Sequence, residues 1–298
     1  RMKAVKPTAL TSAMLISTTA TEAYSAWSAA TPYLLDDIVL LTSTQRLYQR
    51  LVAGTTATSP DADTTNWLDI GPTNKWAMFD SEISTVTTAP TTLTTVLKPG
   101  YVNSLALFGL VGQTVTVTVQ NGLAGPVVYG PEVIDLDGTV IADWYMYFFE
   151  PFVQMAEVVL TDLPPYEDAH ITITLDGTGT VECGICLAGT FYRLGDTEFG
   201  ASVSIVDYSR KETSAFGVTT FVRRAYSKRM SARMMLDTVQ INKVQRVLAD
   251  LRATPCAWIG TDESGFEPLT VYGFYRDFSI DVAYPTKSYC SIEVEGLT

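Results

Sequence analysis

The chain has 298 residues, 47% of them hydrophobic, and 20 Lys and Arg against 32 Asp and Glu give it a net charge of −12. This length accommodates two or three domains with true hydrophobic cores, and the composition excludes a disordered polymer. Thr, Val and Tyr are abundant while Lys and Glu are scarce, which favours strands over helices. No apolar run is long enough to cross a bilayer as a helix, so no membrane insertion is expected.

At the N-terminal end, Lys3 and Lys6 precede the apolar stretch ALTSAMLIS, which Thr11 and Ser12 interrupt. It reads as an ordered arm or strand rather than a cleaved leader. Large rings then accumulate at Tyr24, Trp27, Tyr33, Tyr48, Trp67 and Trp76. A small β-unit centres on one or two such rings, so the others are expected to meet a partner or a flat ligand such as a sugar. Tyr33 and Trp76 each lead into an apolar run and are expected in the core. Trp27, Tyr48 and Trp67 lie beside small or polar residues and are expected to form an exposed carbohydrate-binding platform. The alternative is that all six rings are core or interface.

Read as AYSAW, TPYLLDDIVLL, RLYQRL, SPD and a closing Trp, this stretch resembles the small chitin-binding modules attached to bacterial chitinases. Asp36–Asp37 stands where those modules carry Gly-Asp, so the turn is altered. The following block, WLDIGPTNKWAMFD at 67–80, resembles a segment that recurs in tail proteins of tailed bacteriophages. These resemblances imply a sugar-binding-like module at the front of a phage tail protein, within a first region spanning 1–80.

The second region, 81–195, begins with the Thr-rich STVTTAPTTLTTVLKPG, which carries Pro90 and Pro99 and reads as a linker or edge strand. SLALFGL and TVTVTVQ alternate with period two around Gly112 and are expected to pair as a hairpin. Strands are expected around VVYG, VIADWYMYFFE, MAEVVLTDL, HITITL and VECGICLAG. LDGT recurs at 136–139 and 175–178, and each Asp-Gly pair is a tight-turn signal. The consecutive aromatics of WYMYFFEPF suit a strand covered on both faces, or an interface. Short strands at this spacing imply a β-sandwich of jelly-roll type.

In the third region, 196–298, SVSIVDYSRKE and TTFVRRAYSKRMSARMMLD read as long strands. A helix is expected at about 238–252, capped by Asp237, with Gln240 completing a capping box and Ile241, Val244, Leu248 and Leu251 along one stripe. Three further strands follow. A sheet with one packed helix is α+β by layer logic. This order of elements resembles the ring-forming fold of tail-tube and distal-tail proteins. The fold expectation is thus mainly β with a smaller α+β part.

Charge is segregated along the chain. Residues 1–208 hold 8 Lys and Arg against 22 acids, whereas 209–252 hold 10 against 3. A basic block in an acidic protein fits nucleic acid or an acidic copy of the same protein. Arg223, Arg224, Lys228, Arg229 and Arg233 lie in a strand-like run that divides them between two faces, and are expected at an oligomer interface.

Catalytic signals are weak. His170 stands alone in an alternating strand and reads as structural. Cys183 and Cys186 form a C-x-x-C without a second pair, so no metal is expected. All four cysteines, with Cys256 and Cys290, read as reduced core residues, the first two pointing to opposite faces of a strand. Asp135 and Asp137 read as turn residues rather than glycosidase or calcium carboxylates, with Asp143 and Glu150 as the other acidic candidates. No cofactor and no enzyme activity are expected. The expected role is a structural subunit of a phage tail tip or baseplate. It would assemble in the host cytoplasm, reside in the virion, and contact copies of itself, other tail proteins and host-surface carbohydrate, without specific nucleic acid. The alternatives are a glycan-degrading tail enzyme and a secreted bacterial carbohydrate-binding protein.

Overall fold

Strict alternation in Thr114–Asn121 and Ala169–Asp176 sends every second side chain to one face, and Val115, Val117, Ile171 and Leu175 are buried on it. In the computed structural model, which describes residues 1–139, 143–149, 151, 153–213, 216–263 and 265–297, these strands lie side by side. They belong to a five-stranded antiparallel sheet ordered Val127–Asp135, Thr114–Asn121, Ala169–Asp176, Thr92–Leu97, Leu15–Thr18. The Thr-rich stretch is thus divided: Thr87–Ala89 pairs only with Val181–Cys183, as an edge strand, whereas its second half is not an edge or linker. Thr92–Leu97 is an interior strand with Leu93, Thr95 and Leu97 turned inward.

The second sheet has nine strands and contains Ser104–Phe108 between Glu157–Leu160 and Ile185–Thr197. Ser104–Phe108 is buried at every position, as suits a strand covered on both faces. The expected hairpin of SLALFGL with TVTVTVQ does not form. Both edges of Ser104–Phe108 are already occupied, and the chain crosses to the other sheet instead. The two sheets face each other across one core that includes Leu105, Leu107 and Cys186 from one side and Val117, Ile171 and Leu175 from the other. The protein is mainly β, with this sandwich and several further sheets.

The rest of the nine-stranded sheet closes on itself. Ile185–Thr197, Met2–Pro7, Cys256–Ile259, Thr270–Asp281, Lys287–Gly296 and Tyr226–Asp237 are hydrogen-bonded in that order. The circuit closes where Asp196 pairs Met235 and Thr197 pairs Met234. Closure removes the edges that an open sheet would leave unpaired. A Cβ on Gly195 would lie 2.8 Å from the Met235 carbonyl, so the seam needs a glycine there. Met2, Leu194, Met234, Trp258, Cys290 and Ile292 fill the interior, and the buried Trp258 Nε1 donates to the Gly273 carbonyl at 2.9 Å.

The expected helix is present as Ile241–Asp250, preceded by a 3₁₀ turn at Thr238–Gln240. Val244, Leu248 and Leu251 pack into the barrel core, and Lys6 of the central strand pairs with Asp250. Asp237 does not cap the helix. Its carboxylate accepts from Lys287 Nζ at 2.7 Å instead.

The boundaries expected at 80 and 195 do not separate the sheets, because the nine-stranded sheet draws strands from all three expected regions. A small three-stranded module, formed by Ile38–Leu41, Arg46–Arg50 and Trp67–Pro72, has its own sheet and its own cluster of buried rings. Its turn places Asp36 at φ 69°, the left-handed region that favours the glycine of the resembled modules.

Candidate interaction surfaces

The module's rings face inward. Tyr48 is 5% exposed and Trp67 2%, and both pack with Tyr33, Val39 and Leu41, with Trp27 partly buried against them. Tyr33 meets Trp67 edge-on at 5.2 Å, and its hydroxyl accepts from Ser28 N at 2.8 Å. The expected platform of Trp27, Tyr48 and Trp67 is therefore corrected: the rings are the core. The reason is size. A module of three short strands has no aliphatic layer thick enough to bury, so the rings themselves fill it. The buried Arg50 guanidinium lies 4.8 Å over the Trp67 ring, a cation–π contact that the sequence reading missed. Trp76, expected in the core, is only partly buried, meeting Phe79 edge-on at 5.4 Å.

The block at 67–80 has a structural job. Beyond Trp67–Pro72 it becomes the joint between module and sandwich. Asn74 Nδ2 donates to the Thr21 and Thr88 carbonyls, each at 3.0 Å, while its Oδ1 accepts from Thr88 N at 2.9 Å. Glu22 accepts from the backbone N–H groups of Asn74 and Lys75. The Asn74 side chain and the backbone N–H groups of Asn74 and Lys75 thus tie this turn to Thr21, Glu22 and Thr88.

The two long strands expected around the basic block are each broken. Ser202–Asp207 and Tyr226–Asp237 stay in the barrel sheet, whereas Arg210–Thr213 and Thr219–Val222 pair only with each other. They form a ribbon that is exposed at every position. The five expected interface residues divide accordingly. Lys228 pairs with Glu157 of the sandwich, and Arg229 lies 3.9 Å from Glu295. Arg233 lies 3.6 Å from Glu198 and over the Tyr289 ring. Arg223 and Arg224 are exposed at the base of the ribbon. Three of the five therefore have partners within the chain.

The aromatic run, expected as a covered strand or an interface, is a short helix, Trp144–Phe149, with no buried residue. Trp144 is 79% exposed and Phe148 67%. Asp143 caps it, accepting from Met146 N at 2.8 Å through its side chain. An Asp directly before a run of helix-compatible residues was the available signal. The helix sits in a loop whose stem is closed by the Asp137–Gln154 bridge. The LDGT at 136–139 thus opens an excursion rather than a tight hairpin, with Asp135 accepting from Asp137 N and Asp137 from Thr139 N. Glu150 lies outside the described residues.

Beside this stem, a groove of about 410 Å³ runs along the edge strand Glu157–Leu160. It is lined by Glu157, Asp162, Asp262, Glu263 and Glu267, with Ile134 and Met155 at the loop stem. Its one lysine, Lys3, is already held by Thr161 Oγ1 at 2.9 Å and Asp262 at 3.3 Å. Burial pushes the Glu157 carboxyl up, against the opposing pull of Lys228. The groove belongs to a strongly acidic stretch: residues 99–192 contain 11 Asp and Glu and no Lys or Arg.

The chemistry-bearing residues singled out from sequence lie in cores and turns. His170 is buried, with Nδ1 3.0 Å from the Asp168 carbonyl oxygen. All four cysteines are free and buried. Cys183 and Cys186 do not point to opposite faces. The strand is interrupted at Gly184, and both side chains enter the sandwich core. Burial pushes the Cys183 thiol up to about 12 and raises Cys186 as well. Among the described residues no group of His, Cys, Asp and Glu is placed to hold a metal ion.

No protein-family model matches the sequence, and no curated protein matches it.

Proposed function

We propose that the chain is a structural subunit of a tailed-phage tail tip or baseplate. It forms a ring by copy-to-copy contacts and acts by binding and assembly without turnover. The observation that carries the reading is the polarity of its surface: an acidic groove and an exposed basic ribbon on one subunit. Such patches complement each other between successive copies, and a head-to-tail contact of this kind forms a ring where its rotation closes. Two features add support. One is the sheet with the helix Ile241–Asp250 packed on it, the order of elements that resembles ring-forming tail domains. The other is the phage-like block, which serves as the joint that carries an outlying module. In this reading the module is a structural adaptor, since its rings fill its own core. Copies would assemble in the host cytoplasm and reside in the virion beside other tail proteins.

Negative-stain imaging of the purified chain at low salt tests the proposal. Closed rings of uniform diameter are expected, and a field of single particles at high protein concentration would refute it.

A further inference from the structure

Two exposed apolar protrusions on this chain have opposite electrostatic settings. The ribbon presents Phe216, 95% exposed, and Phe221 among Arg210, Lys211, Arg223 and Arg224, with Glu212 as the only acid within it. The helix Trp144–Phe149 presents its exposed rings from a loop whose stem residues Ile134 and Met155 line the acidic groove. Neither protrusion is covered by its own chain. Large exposed rings of this kind mark contact sites. We infer that the ribbon of one copy docks on the helix Trp144–Phe149 and the adjoining acidic groove of a second copy. The inference rests on the ring reading and names its contact.

Charge and shape favour this occupant. The carboxylates of the groove outnumber its single lysine, which is already engaged, so it attracts cations. Arginines near exposed Trp and Tyr faces gain cation–π attraction as well as steering. Four-residue strands reach roughly 14 Å at about 3.4 Å per residue, long enough to lie across a groove of this size. The strand Glu157–Leu160, which lines the groove, ends the nine-stranded sheet among the described residues, so an extended segment finds backbone groups as well as carboxylates. A nucleic acid would satisfy the ribbon but be repelled by the carboxylates of the groove. A second copy satisfies both.

The test uses two single-cysteine additions in the full chain, Phe148→Cys and Phe216→Cys. The native thiols are buried and their pKa values raised, so they stay silent. Under mild oxidation a mixture of the two variants is expected to give a cross-linked pair, and each variant alone is not. In parallel, Arg223→Glu with Arg224→Glu is expected to weaken association by roughly tenfold or more, with an unchanged unfolding transition. Oligomers that form without mixed cross-links would overturn this contact while leaving the ring reading intact. Cross-links in the Phe216→Cys variant alone would show a ribbon-to-ribbon contact and overturn it too. A chain that stays monomeric at all concentrations would sink both the contact and the ring.

Discussion

Two aromatic-rich regions of this molecule have opposite fates. In the module, Tyr33, Tyr48 and Trp67 are spaced along strands and turns so that each reaches the same interior. In the loop, Trp144, Tyr145, Tyr147, Phe148 and Phe149 are packed into a helix of six residues, and none is buried. Less than two helical turns cannot direct five rings to one side. Ring content therefore says little about exposure. Spacing relative to the local period decides it.

The largest expected effect tests the first half of that contrast. Trp67→Ala removes the centre of the module and the ring under Arg50, leaving a cavity and an uncovered cation. A loss of about 3–5 kcal/mol is expected for the module. Urea unfolding followed by tryptophan fluorescence should show the module melting early while the barrel transition stays in place. A shift below about 0.5 kcal/mol would mean that the ring is not the module's core.

The second prediction addresses the other half. Trp144→Ala should change stability by less than about 0.5 kcal/mol, because the ring is exposed and buries nothing in its own chain. Its effect should appear in association instead, as a raised midpoint in a dilution series. A clear drop in the unfolding midpoint with unchanged association would reverse the comparison.

Thiol accessibility sharpens the contrast between core and surface. Burial pushes the Cys183 and Cys256 thiols up to about 12 and Cys290 up to about 11. Their thiolate fraction at neutral pH is therefore negligible. Labelling with a thiol reagent at pH 8 should stay near zero until the chain unfolds, then reach all four cysteines. Prompt labelling of the folded chain would contradict their placement.

Much of the fold was legible. Alternation located Thr114–Asn121 and Ala169–Asp176, and the stripe Val244, Leu248, Leu251 located the helix. Partners were not legible where periodicity is silent. Ser104–Phe108 is apolar at nearly every position, so its sequence does not say which sheet it joins. Met2–Pro7 pairs with Cys256–Ile259 across almost the whole chain, and no local signal encodes such a contact. The basic block was legible as a block. Its division was not, because the breaks at 208–209 and 223–225 arise where the barrel sheet ends and the ribbon leaves it. The module rings were misplaced because polar neighbours such as Asn66 read as surface, whereas Asn66 is held by Asp63 in the turn that leads into Trp67–Pro72.

Smaller effects follow from single contacts. Lys98 bonds to Asp168 and holds its carboxyl below the usual range. A lowered folded-state pKa contributes stability above the ordinary carboxylate value, and this contribution is lost as pH falls through the folded value. Lys98→Met should let Asp168 titrate closer to its ordinary value in an NMR pH series, and an unmoved titration would show that the pair is not formed. The smallest effect is expected at Asp36→Gly. Relief of the φ 69° backbone is offset by loss of the bond that Asp36 accepts from Gln49 Nε2 at 2.9 Å. The net change should lie within about 1 kcal/mol of zero, and a larger loss in thermal unfolding would assign the aspartate a stronger role.

The central claim is that opposite charges on different faces of one subunit drive its assembly. Sedimentation velocity of the purified chain from low to high salt tests it most directly. The account predicts one discrete oligomer at low salt that gives way to monomer as salt screens the contact between ribbon and groove. A monomer at every salt concentration, with tight and salt-sensitive binding to DNA, would contradict it and assign the basic ribbon to nucleic acid instead.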